Sequence, residues 1–153
     1  MAKEIERKFL VNQKAWTKQG DALAITQGYI SVDPERTVRV RIIGSEAYLT
    51  IKGKTSGITR DEFEYPIPLA DAMDLLKMTI YPPLEKIRHH VNFEGKLWEV
   101  DEFLGANSGL MIAEIELLNE NEALTKPTWI AEEVSGNKQY YNSSLVKYPF
   151  NEW

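Results

Sequence analysis

The sequence of 153 residues contains no cysteine and only two histidines. Without thiols the chain can form neither a disulfide nor a thiolate zinc site. His89 and His90 are adjacent, so on a strand they point to opposite faces and cannot share one ion. No apolar run approaches the roughly 20 residues of a membrane helix. The opening Met-Ala-Lys-Glu-Ile-Glu lacks the apolar segment of a signal peptide. No membrane partner is therefore expected, and cytoplasm is the expected compartment. A net charge of −5 argues against a broad nucleic-acid-binding face. It still leaves room for an anionic ligand on a local basic cluster. Repeats, heptads and low-complexity segments are missing. So is a Walker-type phosphate loop: Gly53-Lys54-Thr55-Ser56 imitates its end, but Tyr48 stands where its first glycine is required.

What is present is ordinary in amount and unusual in arrangement. Hydrophobic residues make up 43% and charged residues 27%, as expected of one globular domain spanning residues 1–153. Alternation predicts eight strands, over 2–11, 24–32, 36–43, 47–54, 58–67, 84–93, 97–104 and 110–118. A helical stripe of Leu69, Met73 and Leu76 predicts a helix over 68–79, stopped by Pro82-Pro83. A second helix is expected over 137–146, and a short helical turn with loop over 12–23. Strands joined mainly by hairpins, with few helices, predict a mainly β (α+β) fold. It is an eight-stranded antiparallel sheet closed into a barrel, with the helices packed outside.

The strands carry charged rows. Glu4, Glu6 and Lys8 share one face of the first strand, opposite Ile5, Arg7 and Phe9. Further rows are Arg39 and Arg41; Lys52; Glu62 and Glu64; Lys86 and Arg88; Glu99 and Asp101; Glu114 and Glu116. Together they hold eight acids and six bases. Alternation alone does not say whether such rows face water or a lumen. Two features favour a lumen. Like charges at i, i+2 repel unless a counter-ion sits between them. Both signs also serve one kind of ligand, with carboxylates for a hard divalent cation and Arg/Lys pairs for a polyphosphate.

Glu4-x-Glu6-x-Lys8, in the form Glu-Ile-Glu-Arg-Lys-Phe-Leu-Val, resembles the signature of the CYTH superfamily, the triphosphate tunnel metalloenzymes. Arg39-x-Arg41, Lys52, Glu62-x-Glu64, Lys86-x-Arg88, Asp101 and Glu114-x-Glu116 follow in the family's order, and the length matches its compact bacterial type. The resemblance implies a barrel whose lumen is a charged tunnel that takes a small-molecule triphosphate with Mg²⁺ or Mn²⁺. On that basis Glu4, Glu6, Glu62, Glu114 and Glu116 are the expected metal ligands. Lys8, Arg39, Arg41, Lys52, Lys86 and Arg88 are the expected phosphate-holding bases. Glu4, Glu6 and Lys8 are the expected catalytic group. Glu64, Glu99 and Asp101 would hold the bases in place. Tyr29 is a candidate lumen residue, a packed tyrosine being its alternative. Lys138 is a candidate phosphate contact at the tunnel mouth, a surface lysine being its alternative.

The implied reaction is metal-dependent hydrolysis of inorganic tripolyphosphate to diphosphate and phosphate. Thiamine triphosphatase, nucleoside triphosphatase and class IV adenylate cyclase activities share the same tunnel and remain alternatives. From other classes come a non-catalytic polyphosphate-binding module and a structural barrel with solvated charges. The expected assembly is a monomer or a homodimer, with no nucleic-acid partner.

Overall fold

The computed structural model describes residues 3–153. The expected first-strand residue at position 2 lies outside them. Strands follow the alternation closely: β1 (Lys3–Val11), β2 (Asp21–Ser31), β3 (Arg36–Ile43), β4 (Glu46–Gly53) and β5 (Thr59–Pro66). After helix α1 (Leu69–Leu75) come β6 (Leu84–Phe93), β7 (Lys96–Phe103), β8 (Met111–Glu116), β9 (Ile130–Glu133) and helix α2 (Asn142–Leu145). The hairpin between β6 and β7 is two residues long, pairing Phe93 with Lys96. Its tight turn needs positive φ at both positions, which Glu94 (48°) and Gly95 (78°) supply.

All pairings are antiparallel, and the ring runs β1-β5-β4-β3-β2-β6-β7-β8 and back to β1. The eight-stranded closed barrel is thus as expected. The seam between β1 and β5 is short, with three paired positions from Lys3↔Asp61 to Ile5↔Thr59. The rest of that β1 edge is taken by β9, through Phe9↔Glu133 and Val11↔Ile130. This ninth strand has no counterpart in the sequence reading.

Most of the apolar core lies outside the barrel wall, because the inward rows are charged along most of their length. At one end those rows turn apolar, Leu84, Phe103 and Ile112 standing on the same face as Gln27, Lys86 and Asp101. Phe9, Trp98, Val100 and Ile115 point outward and are covered by Trp129 and the partly buried Trp16. The Trp98 ring meets Phe9 edge-on at 5.7 Å and Trp129 at 6.0 Å. Over β3 and β4, Ala72 of α1 packs on Val40 and Ala47. At Gly28 an added Cβ would fall 2.5 Å from Thr79 Cγ2, so the chain after α1 can close onto β2 only over a glycine. At one end, Leu145 and Val146 pack with Tyr29, Leu84, Phe103, Leu110 and Ile112.

Two local expectations change. The helix expected over 68–79 is α1 followed by a 3-10 turn, Leu76–Met78. The helix expected over 137–146 is broken by extended Tyr141 into a 3-10 turn, Lys138–Tyr140, and α2. After β1 the expected short helical turn is present, with the Ala15 and Trp16 amides donating to the Asn12 carbonyl, and the loop after it ends at Gly20, where β2 begins earlier than expected. Among the described residues no helix is long and apolar enough to cross a membrane.

Candidate active site

Because the charged rows turn inward, the lumen is a polar cavity of about 240 Å³. Its charges are segregated by strand. Going round the ring, β7, β8, β1 and β5 are contiguous and contribute Glu99; Glu114 and Glu116; Glu4 and Glu6; Glu62 and Glu64. The other half, β4, β3, β2 and β6, contributes Lys52; Arg39 and Arg41; Tyr29; Lys86 and Arg88. Lys8 and Arg60 are the two bases on the acidic half.

The basic wall is held by a few anions. Asp101, fully buried, accepts from Arg88 Nε at 2.8 Å and Nη2 at 2.9 Å, and lies 2.8 Å from Lys86 Nζ. Arg88 Nη1 also donates to Glu99 at 3.1 Å. Arg39 Nη2 donates to Thr50 Oγ1 at 3.1 Å and to Glu64 at 3.3 Å, while Thr50 donates to Glu64 at 2.9 Å. Lys52 Nζ lies 2.9 Å from Glu4 and 3.2 Å from Glu62. Arg60 Nε lies 3.4 Å from Glu4, and Lys8 Nζ 3.8 Å from Glu114.

Protonation follows this arrangement. Burial would raise Glu4, but Lys52, its hydrogen bond to Glu62 and Arg60 hold it far below the usual carboxylate range. Burial likewise opposes the Glu114 and Asp101 carboxylates. Lys8, Arg88 and Lys86 pull Glu114 down, and Arg88 and Lys86 do the same for Asp101. Glu6 goes the other way: burial, then the charges of Glu114 and Glu4, push it well up. Burial and the hydrogen bond to Glu4 raise Glu62 to about 7, and burial with Glu4 and Glu99 raises Glu116. On the basic wall, burial lowers Lys86 to about 7 against the pull of Asp101. Burial, then Arg39 and Arg88, lower Arg41 to about 9.

Of the residues singled out from sequence, Glu4, Glu6, Lys8, Tyr29, Arg39, Arg41, Lys52, Glu62, Glu64, Lys86, Arg88, Glu99, Glu114 and Glu116 line this cavity. Asp101 sits in the wall behind Lys86 and Arg88. Lys138 does not join them; it is exposed on its 3-10 turn. Residues that the sequence reading passed over also belong here. Arg60 was readable, since it shares a strand face with Glu62 and Glu64. Gln27 shares a face with Tyr29 and bonds Arg41. Ser135, Tyr141 and Asn142 reach the lumen from the segment after β9, and no periodicity announces them.

A family model described as CYTH domain matches residues 2–148. The chain belongs to the CYTH family. An inorganic triphosphatase of Acetivibrio thermocellus is 47% identical over 154 aligned positions, covering 100% of this chain and 99% of that protein. An inorganic triphosphatase of Nitrosomonas europaea is 36% identical, covering 94% and 96%. A crystal structure of an inorganic triphosphatase, 33% identical, superposes with a TM-score of 0.66 over 93% of this chain and 96% of the other. In this CYTH barrel the two walls suit opposite ligands. Guanidinium and ammonium groups on β3, β4 and β6 can engage a polyanion from one side.

The carboxylates on β8, β1 and β5 have the chemistry of a hard-cation site. Among the described residues, no three carboxylates converge on one point as they stand. Instead the carboxyls interact in pairs: beside burial, the Glu4 charge pushes Glu62 up and the Glu114 charge pushes Glu6 up. Such pairs retain a proton because like charges meet, and a divalent cation can replace that proton. The donor set therefore fits a metal.

Proposed function

We propose that this CYTH protein hydrolyses inorganic tripolyphosphate to diphosphate and phosphate in the barrel lumen, with Mg²⁺ or Mn²⁺. The observation that carries this reading is the segregation of lumen charge into one acidic and one basic half. A solvated surface has no need of it, and a site for a bare polyanion needs only the basic half. Relatives called inorganic triphosphatase, matched over nearly their whole length, point the same way.

Arg39, Arg41, Lys52, Lys86 and Arg88, with Lys8 from the facing wall, hold the substrate. Tripolyphosphate carries about four or five negative charges, and arginine forks match its oxygens. The same bases offset the charge that grows on the leaving diphosphate. Glu4, Glu6, Glu62, Glu114 and Glu116 would hold the divalent cation. When bound, it draws charge from the phosphate oxygens and offsets the excess of acids. Water attacks the terminal phosphorus, the P–O bond to diphosphate breaks, and the water's proton passes to a lumen carboxylate. A carboxylate of the Glu4/Glu6 pair accepts a hydrogen bond from that water and orients it. Asp101, Glu99 and Glu64 hold the bases in place, while Tyr29 lines the wall between them.

The test is phosphate release from tripolyphosphate, ATP and thiamine triphosphate in parallel, with Mg²⁺, with Mn²⁺ and with EDTA. Metal-dependent release from tripolyphosphate well above the other two is expected. No release from any of the three overturns the hydrolase reading.

A further inference from the structure

β2 is the one strand of the basic wall that brings no charge into it. It lies between β3 and β6 and carries Gln27, which is fully buried. Both ends of the Gln27 amide are engaged. Oε1 accepts from Arg41 Nε at 3.1 Å. Nε2 lies 3.1 Å from Tyr29 Oη and 3.1 Å from Asn142 Oδ1, donating to both. Asn142 comes from outside the ring, as the first residue of α2, and its Oδ1 also accepts from Lys86 Nζ at 2.9 Å. The helix is anchored by Leu145, which is fully buried, and by Val146. Two neutral amides therefore join bases on two non-adjacent strands to the C-terminal segment.

The choice of amides is informative. Among the described residues, Arg41 is the one lumen base with no carboxylate within 4.0 Å; Lys8, Arg39, Lys52, Arg60, Lys86 and Arg88 each have one. A glutamate at position 27 would hold Arg41 as well as glutamine does, but would also neutralise it. With Nε engaged by a neutral oxygen, the forked Nη1 and Nη2 keep their charge for an anion. Lys86 already shares Asp101 with Arg88, and a second carboxylate would cancel what remains.

We propose that Gln27 and Asn142 are positioning residues: they orient Arg41 and Lys86 toward the substrate phosphates without neutralising them. They also make the seating of α2 part of the binding site. The inference rests on the triphosphate reading above.

The test uses the full chain with Asn142→Asp, Asn142→Ala and Gln27→Glu. Tripolyphosphate is titrated calorimetrically in EDTA, and KM and kcat are measured with Mg²⁺. Asn142→Asp keeps the oxygen that both Lys86 and Gln27 use, so packing survives and the melting temperature does not fall. Affinity for tripolyphosphate is nevertheless expected to drop roughly tenfold or more, with KM rising in step and kcat changing less. Gln27→Glu is expected to do the same through Arg41. Asn142→Ala loses the orientation without adding charge, and its KM should rise less than that of Asn142→Asp. If Asn142→Ala does not fold, the two acidic variants still decide. Wild-type affinity and KM in Asn142→Asp and Gln27→Glu, beside an active wild type, overturn the positioning role alone. A wild type that neither binds nor hydrolyses tripolyphosphate overturns the triphosphate reading, and this inference with it.

Discussion

Asp101 is the residue on which the basic wall depends. It is fully buried and serves Lys86 and Arg88 at once. Replacing one partner of a buried ion network leaves the others desolvated and unpaired, which costs about 3–5 kcal/mol. Asp101→Ala should lose stability of that order in urea denaturation. Tripolyphosphate in EDTA should restore part of the loss, because its oxygens supply the missing counter-charge. A variant as stable as wild type would mean that the two cations need no shared anion. Lys86 carries a second prediction. Burial lowers its ammonium to about 7, below the ordinary lysine value. Its contribution to stability is therefore present above the unfolded pKa of about 10.4 and is lost as pH falls through 7. A phosphate beside it favours the charged form. At pH 8 tripolyphosphate binding should take up protons, visible as a dependence of the calorimetric enthalpy on buffer ionisation heat. Lys86→Met should remove most of that dependence. At this scale the sequence was legible wherever like charges alternate with apolar residues, as at Arg39 and Arg41. Arg60 was legible by the same alternation, on the face of Glu62 and Glu64, and was passed over. Asn142 escaped because its partners, Lys86 and Gln27, meet it only through tertiary folding.

Among the elements, the strands were readable to within a few residues, since apolar and charged residues alternate along them with period 2, even in β5, whose Phe63 and Tyr65 stay exposed. Which face turns inward was not readable from alternation; the family resemblance supplied it. β9 was missed for a physical reason. Ile130-Ala131-Glu132-Glu133 is four residues with one partly buried side chain, and it is held by tertiary partners. Arg7 Nε donates to Glu133 at 2.9 Å, and the Val134 amide donates to the Lys8 carbonyl at 2.8 Å. The break at Tyr141 also comes from the fold, which turns Asn142 into the lumen. The short β1–β5 seam makes its own prediction. Three paired positions close the ring there, against eight between β6 and β7. Local opening is easiest where the fewest bonds must break together. The Glu6 amide, donating to Ile58 O at 3.2 Å, should exchange its hydrogen well before the paired amides of β6 and β7. Tripolyphosphate with Mg²⁺ should slow that exchange, since Glu4, Glu6 and Glu62 flank the seam from inside. Equal exchange rates across the two ladders would show that the ring opens only as a whole.

In the whole molecule, most apolar packing and the chemistry occupy opposite sides of one wall. Two apolar clusters lie outside the barrel, around Trp98, Phe9 and Ile115 and under α1, while a third, under α2, fills one end of its interior with Leu84, Phe103 and Ile112. The lumen holds ions that repel and attract in near balance, with eight carboxylates, Asp101 included, against seven bases. Substitutions on the two faces should therefore separate. Trp98 is fully buried against Phe9 and Trp129 and touches no lumen charge. Trp98→Ala should cost about 3–5 kcal/mol of stability, while the protein that stays folded retains its turnover. Glu6 is pushed up by burial and by Glu114 and Glu4, so its charge opposes folding. Glu6→Gln keeps the shape and removes that repulsion, and the melting temperature should hold or rise. Turnover of tripolyphosphate should fall by roughly 100-fold or more, the scale expected when a group aimed at reacting charge is lost. Melting curves and tripolyphosphate assays on the two variants, run side by side, decide the point. If Glu6→Gln unfolded and Trp98→Ala lost turnover while folded, the lumen charges would be holding the barrel together and the outer core would be shaping the site.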